Sequence, residues 1–229
     1  VHWATERMGL LGLPLPGAEI KMVPTGSKHE VRVKGDCITT GYYKNPEKTA
    51  DAFDEEGFYK LGDAAKFVDP DNPAEGLVFD GRVVEDFKLS TGTWVSAGRL
   101  RVQTVESSNG ILHDALVAGL DESYIGILGF PNIAACQACA GDGDLSAEEL
   151  VRHPKILQTL ADGLRAHNQK NPGSSTRIKR ALLMVEPPSV DKGELTDKGY
   201  INQSTALARR EDLVRKLYAE TPGNDVVVL

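Results

Sequence analysis

The chain has 229 residues, of which 41% are hydrophobic and 26% charged, with a formal net charge of −7. That is enough apolar content for a real core in one large or two small domains, and it excludes a disordered chain. The acidic balance argues against a nucleic-acid surface, and no apolar run approaches the roughly 20 residues that span a bilayer, so neither nucleic acid nor membrane is an expected partner.

In chain order, the first part reads as β-rich. AEIKMV and HEVRVKG alternate around the turn PTGSK, and AAKFVD and GLVFDGR repeat the pattern around the loop PDNPAEG. NPEKTADAF, with Pro46 near its start, is the one helical stretch here. A small barrel-like or twisted sheet is expected. The texture changes between Gly81 and Asp86, so residues 1–84 and 85–229 are expected to form separate parts. The second part mixes helices and strands, and the whole reads as α+β. HDALVAGL and YIGILGF are apolar runs of strand length. Ser146 and Glu149 have capping-box spacing, so a helix starts there. Pro154 opens a longer helix, with Ile156, Leu157, Leu160 and Leu164 on one face. RIKRALLMVEPP reads as a strand ended by prolines, and ALARREDLVRKLYAE as a closing helix.

Cys136 and Cys139 form CQAC, a spacing found in redox pairs and in half of some zinc sites. There is no second pair, and Cys37 is distant in sequence. Reduced thiols in a cytoplasmic protein are expected, with no resident metal site.

The stretch KLGDAAKFVDPDNPAEGLVFDGRVVEDFKLSTGTWVSAG carries the densest chemistry. Asp63 follows a glycine at a strand end, where a carboxylate accepts hydrogen bonds from vicinal hydroxyls such as those of a ribose. Arg82 also follows a glycine and offers a fork of donors to hydroxyls or phosphate. Taken singly, each is equally an ordinary turn residue: an aspartate capping a turn, an arginine paired with a surface acid.

Together, the segments resemble the ATP-dependent adenylate-forming superfamily, which includes acyl-CoA synthetases and peptide-synthetase adenylation domains. The matching positions are Gly41 and Tyr42, Pro46, Thr49, Phe53, Gly62 and Asp63, Gly81 and Arg82, and Lys88, six residues past the arginine. EDFKLSTGTWVS is most similar to the feruloyl-CoA synthetase branch. Further on, VAGLDESYIG resembles the family's acidic loop after a strand. DKGELTDKGYINQ resembles its late lysine loop, in a rearranged form that leaves Lys198 or Lys192 as the candidate; the ELT before it favours Lys198. The chain departs from the family pattern at the hinge, where Val84 or Glu85 replaces the usual Asp or Lys. It departs again at Arg99-Leu100-Arg101, where relatives often carry Glu-x-Glu.

The resemblance implies a two-step reaction. A carboxylic acid, here aromatic, is joined to AMP from ATP with Mg2+, and coenzyme A then takes the acyl group. Lys198 is implied as the catalytic charge for the first step, Asp63 and Arg82 as the ribose clamp, and Lys88 and Gly92 as parts of the turn that serves the second. The C-terminal part is implied to rotate between the steps. The family's Ser/Thr/Gly-rich phosphate loop is not among these residues. The chain is therefore expected to be the C-terminal part of a longer enzyme, with little activity of its own. A non-catalytic module that kept the fold, or an adenylating enzyme with a carrier-protein acceptor, are the alternatives.

Overall fold

The computed structural model describes residues 9–26, 28–83, 85–196 and 198–229. Val84, one of the two candidate hinge residues, and the first eight residues lie outside the described set. The chain forms two compact units, residues 1–84 and 85–229.

The first unit is an antiparallel sheet with the order β1-β5-β4-β3-β2. Its strands are β1 (Leu10–Gly12), β2 (Ala18–Thr25), β3 (Lys28–Gly35), β4 (Tyr59–Phe67) and β5 (Leu77–Arg82). Among the described residues β1 and β2 end the sheet without pairing to each other. Of the two forms expected, barrel-like or twisted sheet, the described residues form an open sheet and not a barrel; strand alternation specifies a sheet face but not whether its edges meet. The core here is small, built on Val31, Ala65 and Leu77 with Ile20, Met22 and Val33 packed against them. Helix α1 (Pro46–Ala52) starts with Pro46 in its first turn, and the Asn45 side chain accepts from the Lys48 N–H at 3.0 Å.

The second unit is a three-layer α/β/α sandwich with a small hairpin attached. Its sheet has the order β11-β10-β9-β8, with β8 (Leu112–Ala118), β9 (Ile125–Pro131), β10 (Ile178–Leu183) and β11 (Val226–Val228). β9 and β10 run parallel, and the outer pairings are antiparallel. Alternation along the strands sorts side chains between two cores. Ala115, Val117, Ile125, Ile127, Ala181 and Leu183 face one core. Leu116, Ala118, Leu128, Phe130, Leu182 and Met184 face the other.

The first core is closed by α2 (Ala97–Glu106), α3 (Ile133–Ala140), α4 (Ala147–Leu150) and α5 (Pro154–Lys170). Helix α5 buries Ile156, Leu160 and Leu164 completely, with Leu157 at the margin. The capping box opens α4: the Ser146 N–H donates to Glu149 Oε2 at 2.9 Å and the Glu149 N–H donates back to the Ser146 hydroxyl. The second core is closed by α6 (Gln203–Arg209) and α7 (Glu211–Tyr218).

The differences from the sequence reading include these three. The single closing helix is two helices divided at Arg210, whose backbone leaves the helical region at φ −107° and ψ 28°. The three-residue β11 escapes periodicity because its two buried valines are ordered by pairing with β10. Helix α2 buries Ala97, Leu100 and Thr104, too few large apolar residues to show as a stripe. No helix among the described residues is long and apolar enough to cross a membrane.

β8 lies at the sheet edge, and α6 covers part of that edge with one side chain. The buried Gln203 amide accepts from the Val117 N–H and donates to the Ala115 carbonyl, each at 3.0 Å, as a neighbouring strand would. Gln203→Leu keeps the volume and strands both backbone groups, so it should destabilise the chain by about 1–3 kcal/mol in urea unfolding followed by circular dichroism. A variant as stable as wild type would show that water replaces the amide.

Candidate functional site

Asp63 and Arg82 meet by strand register. They are direct partners across β4 and β5, and Arg82 Nε lies 3.2 Å from Asp63 Oδ1. A register shift follows between Asp63 and Ala65. On the other side of Asp63 the Val83 N–H donates to the Gly62 carbonyl at 2.8 Å, which carries the pairing just past the end of β5. Both side chains are nearly half exposed, at 43% and 49%. The ion pair is therefore screened and adds little stability. Its chemical value is different: an exposed carboxylate has lone pairs beyond those one arginine nitrogen uses, and the guanidinium keeps free donors beside it.

The other recognisable residues of this unit are structural. The Thr49 hydroxyl accepts from the Tyr42 N–H at 2.9 Å and donates to the Asn45 carbonyl at 2.8 Å, closing the loop before α1. The Tyr42 and Tyr59 hydroxyls share a hydrogen bond of 2.8 Å, which pushes the Tyr59 phenol above its ordinary range. Phe53 packs edge-on against Tyr59 with ring centres 5.3 Å apart. This set clips α1 to the strand that carries Asp63.

Lys88 and Gly92 sit on a hairpin formed by β6 (Phe87–Lys88) and β7 (Trp94–Val95). The Leu89 N–H donates to the Thr93 carbonyl at 2.9 Å and the Gly92 N–H to the Leu89 carbonyl at 2.8 Å. Leu89 is buried and anchors the turn, while Lys88 and Gly92 are exposed. Gly92 has φ +87°, and a Cβ there would lie 3.9 Å from Lys88 Cε. The glycine is thus required by backbone conformation rather than by crowding within the turn.

Lys198 sits at the tip of a second tight turn. Leu195 and Ile201 form a β-bridge, the Thr196 N–H donates to the Tyr200 carbonyl at 2.8 Å, and the Gly199 N–H donates to the Thr196 carbonyl at 2.9 Å. Lys198 is exposed, and among the described residues no carboxylate is paired with it. Lys192, the other candidate, is engaged: its Nζ lies 2.9 Å from Glu186 Oε1, and that contact holds the Glu186 carboxyl below its usual range.

Glu194 and Arg210, which the sequence reading did not single out, hold the base of this loop. Glu194 is buried; its carboxylate accepts from the Ser189 N–H at 2.8 Å and from Arg210 Nη2 at 2.9 Å. Arg210 Nη2 also donates to the Pro187 carbonyl at 3.1 Å, and the guanidinium lies over the Phe130 ring at 5.2 Å. The Glu194 backbone contributes as well, its carbonyl accepting from the Asn202 N–H at 2.9 Å. Arg210 is also the residue at which the helix breaks. Only a charged pair sixteen residues apart signals the contact in sequence, and no periodicity joins such residues.

CQAC lies on α3, and both thiols are free. Burial pushes the Cys136 thiol up to about 11, and Cys139 shares a 3.4 Å hydrogen bond with the Thr159 hydroxyl. Among the described residues no group of three or more His, Cys, Asp or Glu is arranged to hold a metal ion.

Residues 88–222 match the model of the AMP-binding enzyme C-terminal domain. The chain belongs to that family. It is 25% identical to the probable acyl-activating enzyme 16 of Arabidopsis thaliana, across 92% of this chain and 31% of the relative. It is 26% identical to the long-chain-fatty-acid–[acyl-carrier-protein] ligase AEE15 of the same plant, across 93% of this chain and 29% of the relative. Among solved structures, the A domain of carboxylic acid reductase from Segniliparus rugosus, in complex with AMP and a co-purified carboxylic acid, superposes with a TM-score of 0.67 and 26% identity, covering 89% of this chain and 31% of that one. These relatives are members of the adenylate-forming superfamily, and the chain spans about a third of their length. Within this AMP-binding C-terminal domain, the matched segment contains both the Lys88 hairpin and the Lys198 turn.

The Glu194–Arg210 pair gives a stability test. Glu194→Ala leaves a buried guanidinium unpaired and should cost about 3–5 kcal/mol in urea unfolding, whereas replacing both residues by Leu and Met should cost much less. Equal losses in the single and double variants would show that packing, not charge pairing, holds the loop base.

Proposed function

We propose that this chain is the C-terminal part of an AMP-forming acid–CoA ligase. In the first step a carboxylate oxygen attacks the α-phosphorus of ATP and the bond to pyrophosphate breaks, giving an acyl-adenylate. In the second, the thiol of coenzyme A attacks the acyl carbonyl and AMP leaves. The observation that carries this reading is the family match spanning two exposed turns, one tipped by Lys198 and one carrying Lys88 and Gly92.

Lys198 would place its ammonium between the carboxylate and the α-phosphate, where negative charge gathers as two anions meet. Asp63 would accept from the ribose hydroxyls with Arg82 beside it, so that the unreactive part of ATP orients the reactive part. Lys88 and the Gly92 turn would line the thiol's approach after rotation of the second unit. Magnesium, where it accompanies ATP, neutralises phosphate charge; the described side chains offer no cage for it, so the phosphates and groups beyond this chain would hold it. The finer substrate reading, a hydroxycinnamate such as ferulate, rests on the wording of EDFKLSTGTWVS. A cytoplasmic setting fits three free cysteines. Because the chain spans about a third of its relatives, we expect it to have little activity without the remaining two thirds.

A second reading keeps adenylation and gives the acyl group to a carrier-protein arm. It is favoured by two relatives: the acyl-carrier-protein ligase and the carboxylic acid reductase solved as an A-PCP didomain with AMP. AMP release by the full-length enzyme, with ATP, a panel of aromatic and aliphatic acids, and either coenzyme A or a pantetheinylated carrier, separates the two. Acid-independent AMP release, or none with any acid, would leave the non-catalytic module as the better account.

Two substitutions test the assigned roles in the full-length enzyme. Lys198→Ala should reduce acid-dependent pyrophosphate exchange by about 10²–10³-fold while sparing thioester formation from a supplied acyl-adenylate; Lys88→Ala should show the opposite preference. If Lys192→Ala gives the adenylation defect instead, the choice of lysine is wrong. Asp63→Ala should weaken ATP by about 1.5–3 kcal/mol with the acid dependence little changed, and an unchanged ATP dependence would remove the ribose role.

A further inference from the structure

The turn that carries Gly92 does not hold its own position. Its hairpin strands are two residues each, too short to fix a register alone. The loop between β8 and β9 supports it from outside. The Asp121 N–H donates to the Lys88 carbonyl at 3.2 Å, and the Ser90 N–H donates to the Glu122 carbonyl at 3.0 Å. These two backbone bonds flank Leu89, which is 3% exposed. Where the loop leaves β8, Gly119 is buried with no room for a side chain. A Cβ there would lie 2.8 Å from Phe87 Cε2, 3.1 Å from Phe87 Cζ and 3.1 Å from Leu89 Cδ2. Phe87 and Leu89 are the residues on either side of Lys88, and both pack against the first core of the second unit. Any atom added at 119 must push on the hairpin.

We propose that the Gly119–Glu122 loop is the brace that sets the height of the Lys88–Gly92 turn, and that Gly119 is a positioning residue for the acyl-transfer step. The positioning role rests on the function proposed above; the brace itself does not. The loop is rigidly placed because it joins the ends of β8 and β9, which pair from Leu112↔Pro131 to Ala118↔Gly126. The acceptor turn is thereby referred to the central sheet. The Lys198 turn is seated separately, on Glu194 and Arg210, so a change at 119 acts on one turn and not the other.

Trp94 reports on the hairpin directly, since it is paired with Lys88 and 39% exposed. The chain has two tryptophans, so Trp3→Phe leaves Trp94 as its sole indole. In that background Gly119→Ala should shift the Trp94 emission maximum and alter its acrylamide quenching. In the full-length enzyme the same change should slow single-turnover transfer from acyl-adenylate to coenzyme A by up to about 10²-fold, as expected for displacement of a positioned group, with pyrophosphate exchange within about twofold of wild type. Adding Phe87→Leu to Gly119→Ala frees space and should restore part of the transfer rate. Ser90→Pro removes the N–H donated to Glu122 without adding volume at 119. It should show the same selective loss, and it keeps the test in force if Gly119→Ala fails to fold. An unchanged Trp94 signal in both variants overturns the brace. A shifted signal with both half-reactions falling together, or with neither falling, overturns the positioning role. If the wild-type enzyme makes no adenylate from any acid, the proposed function fails and takes the positioning role with it, while the Trp94 result still decides the brace.

Discussion

Covered on both faces and paired along both edges, β9 is buried over residues 125–130. That constraint explains its composition, Ile-Gly-Ile-Leu-Gly-Phe, in which every position is apolar or glycine. The two cores of the second unit meet through this strand: Ile125 and Ile127 face α2 and α5, and Leu128 and Phe130 face α6 and α7. The glycines admit neighbours that a side chain would exclude, since a Cβ on Gly126 would lie 2.6 Å from Leu217 and one on Gly129 would lie 2.5 Å from Leu112. The strand thus sets how closely helices and sheet approach, and both exposed turns are referred to it.

The two turns are referred to the sheet in different ways. The Lys88–Gly92 turn hangs on backbone hydrogen bonds from the loop that enters β9. Such bonds are independent of side-chain identity, so the seat of the turn does not depend on which side chains the turn displays. The Lys198 turn follows β10 and is seated by the buried Glu194–Arg210 pair. A buried ion pair is a poor source of net stability but a strong constraint on geometry, because neither partner can be left alone.

In the first unit the order is reversed: register does the positioning and the side chains stay in water. Asp63 and Arg82 are partners because β4 and β5 pair as they do, and the Tyr42–Thr49–Tyr59 clip fastens the helix beside them. The small core of this unit leaves Leu61, Phe67 and Phe79 exposed.

The sequence alone determined whatever depends on short spacing. The strands of alternating residues, the proline-led α1 and α5, the Ser146–Glu149 capping box and the buried face Ile156, Leu160, Leu164 all arise from interactions within four to eight residues, and local sequence encodes them directly. The family-like pairs Gly62-Asp63 and Gly81-Arg82 were legible as pairs for the same reason. Tertiary structure decided what depends on distant partners: that the first sheet stays open, that Asp63 and Arg82 face one another, that Arg210 meets Glu194 in a buried pair, and that Gln203 stands in for a missing strand beside β8. It also set the two lysines in different surroundings, Lys192 engaged with Glu186 and Lys198 exposed at a turn tip. These outcomes turn on which groups are buried together, and a buried charge or an unpaired edge takes whatever partner the fold brings within reach, at a sequence separation that no local pattern records.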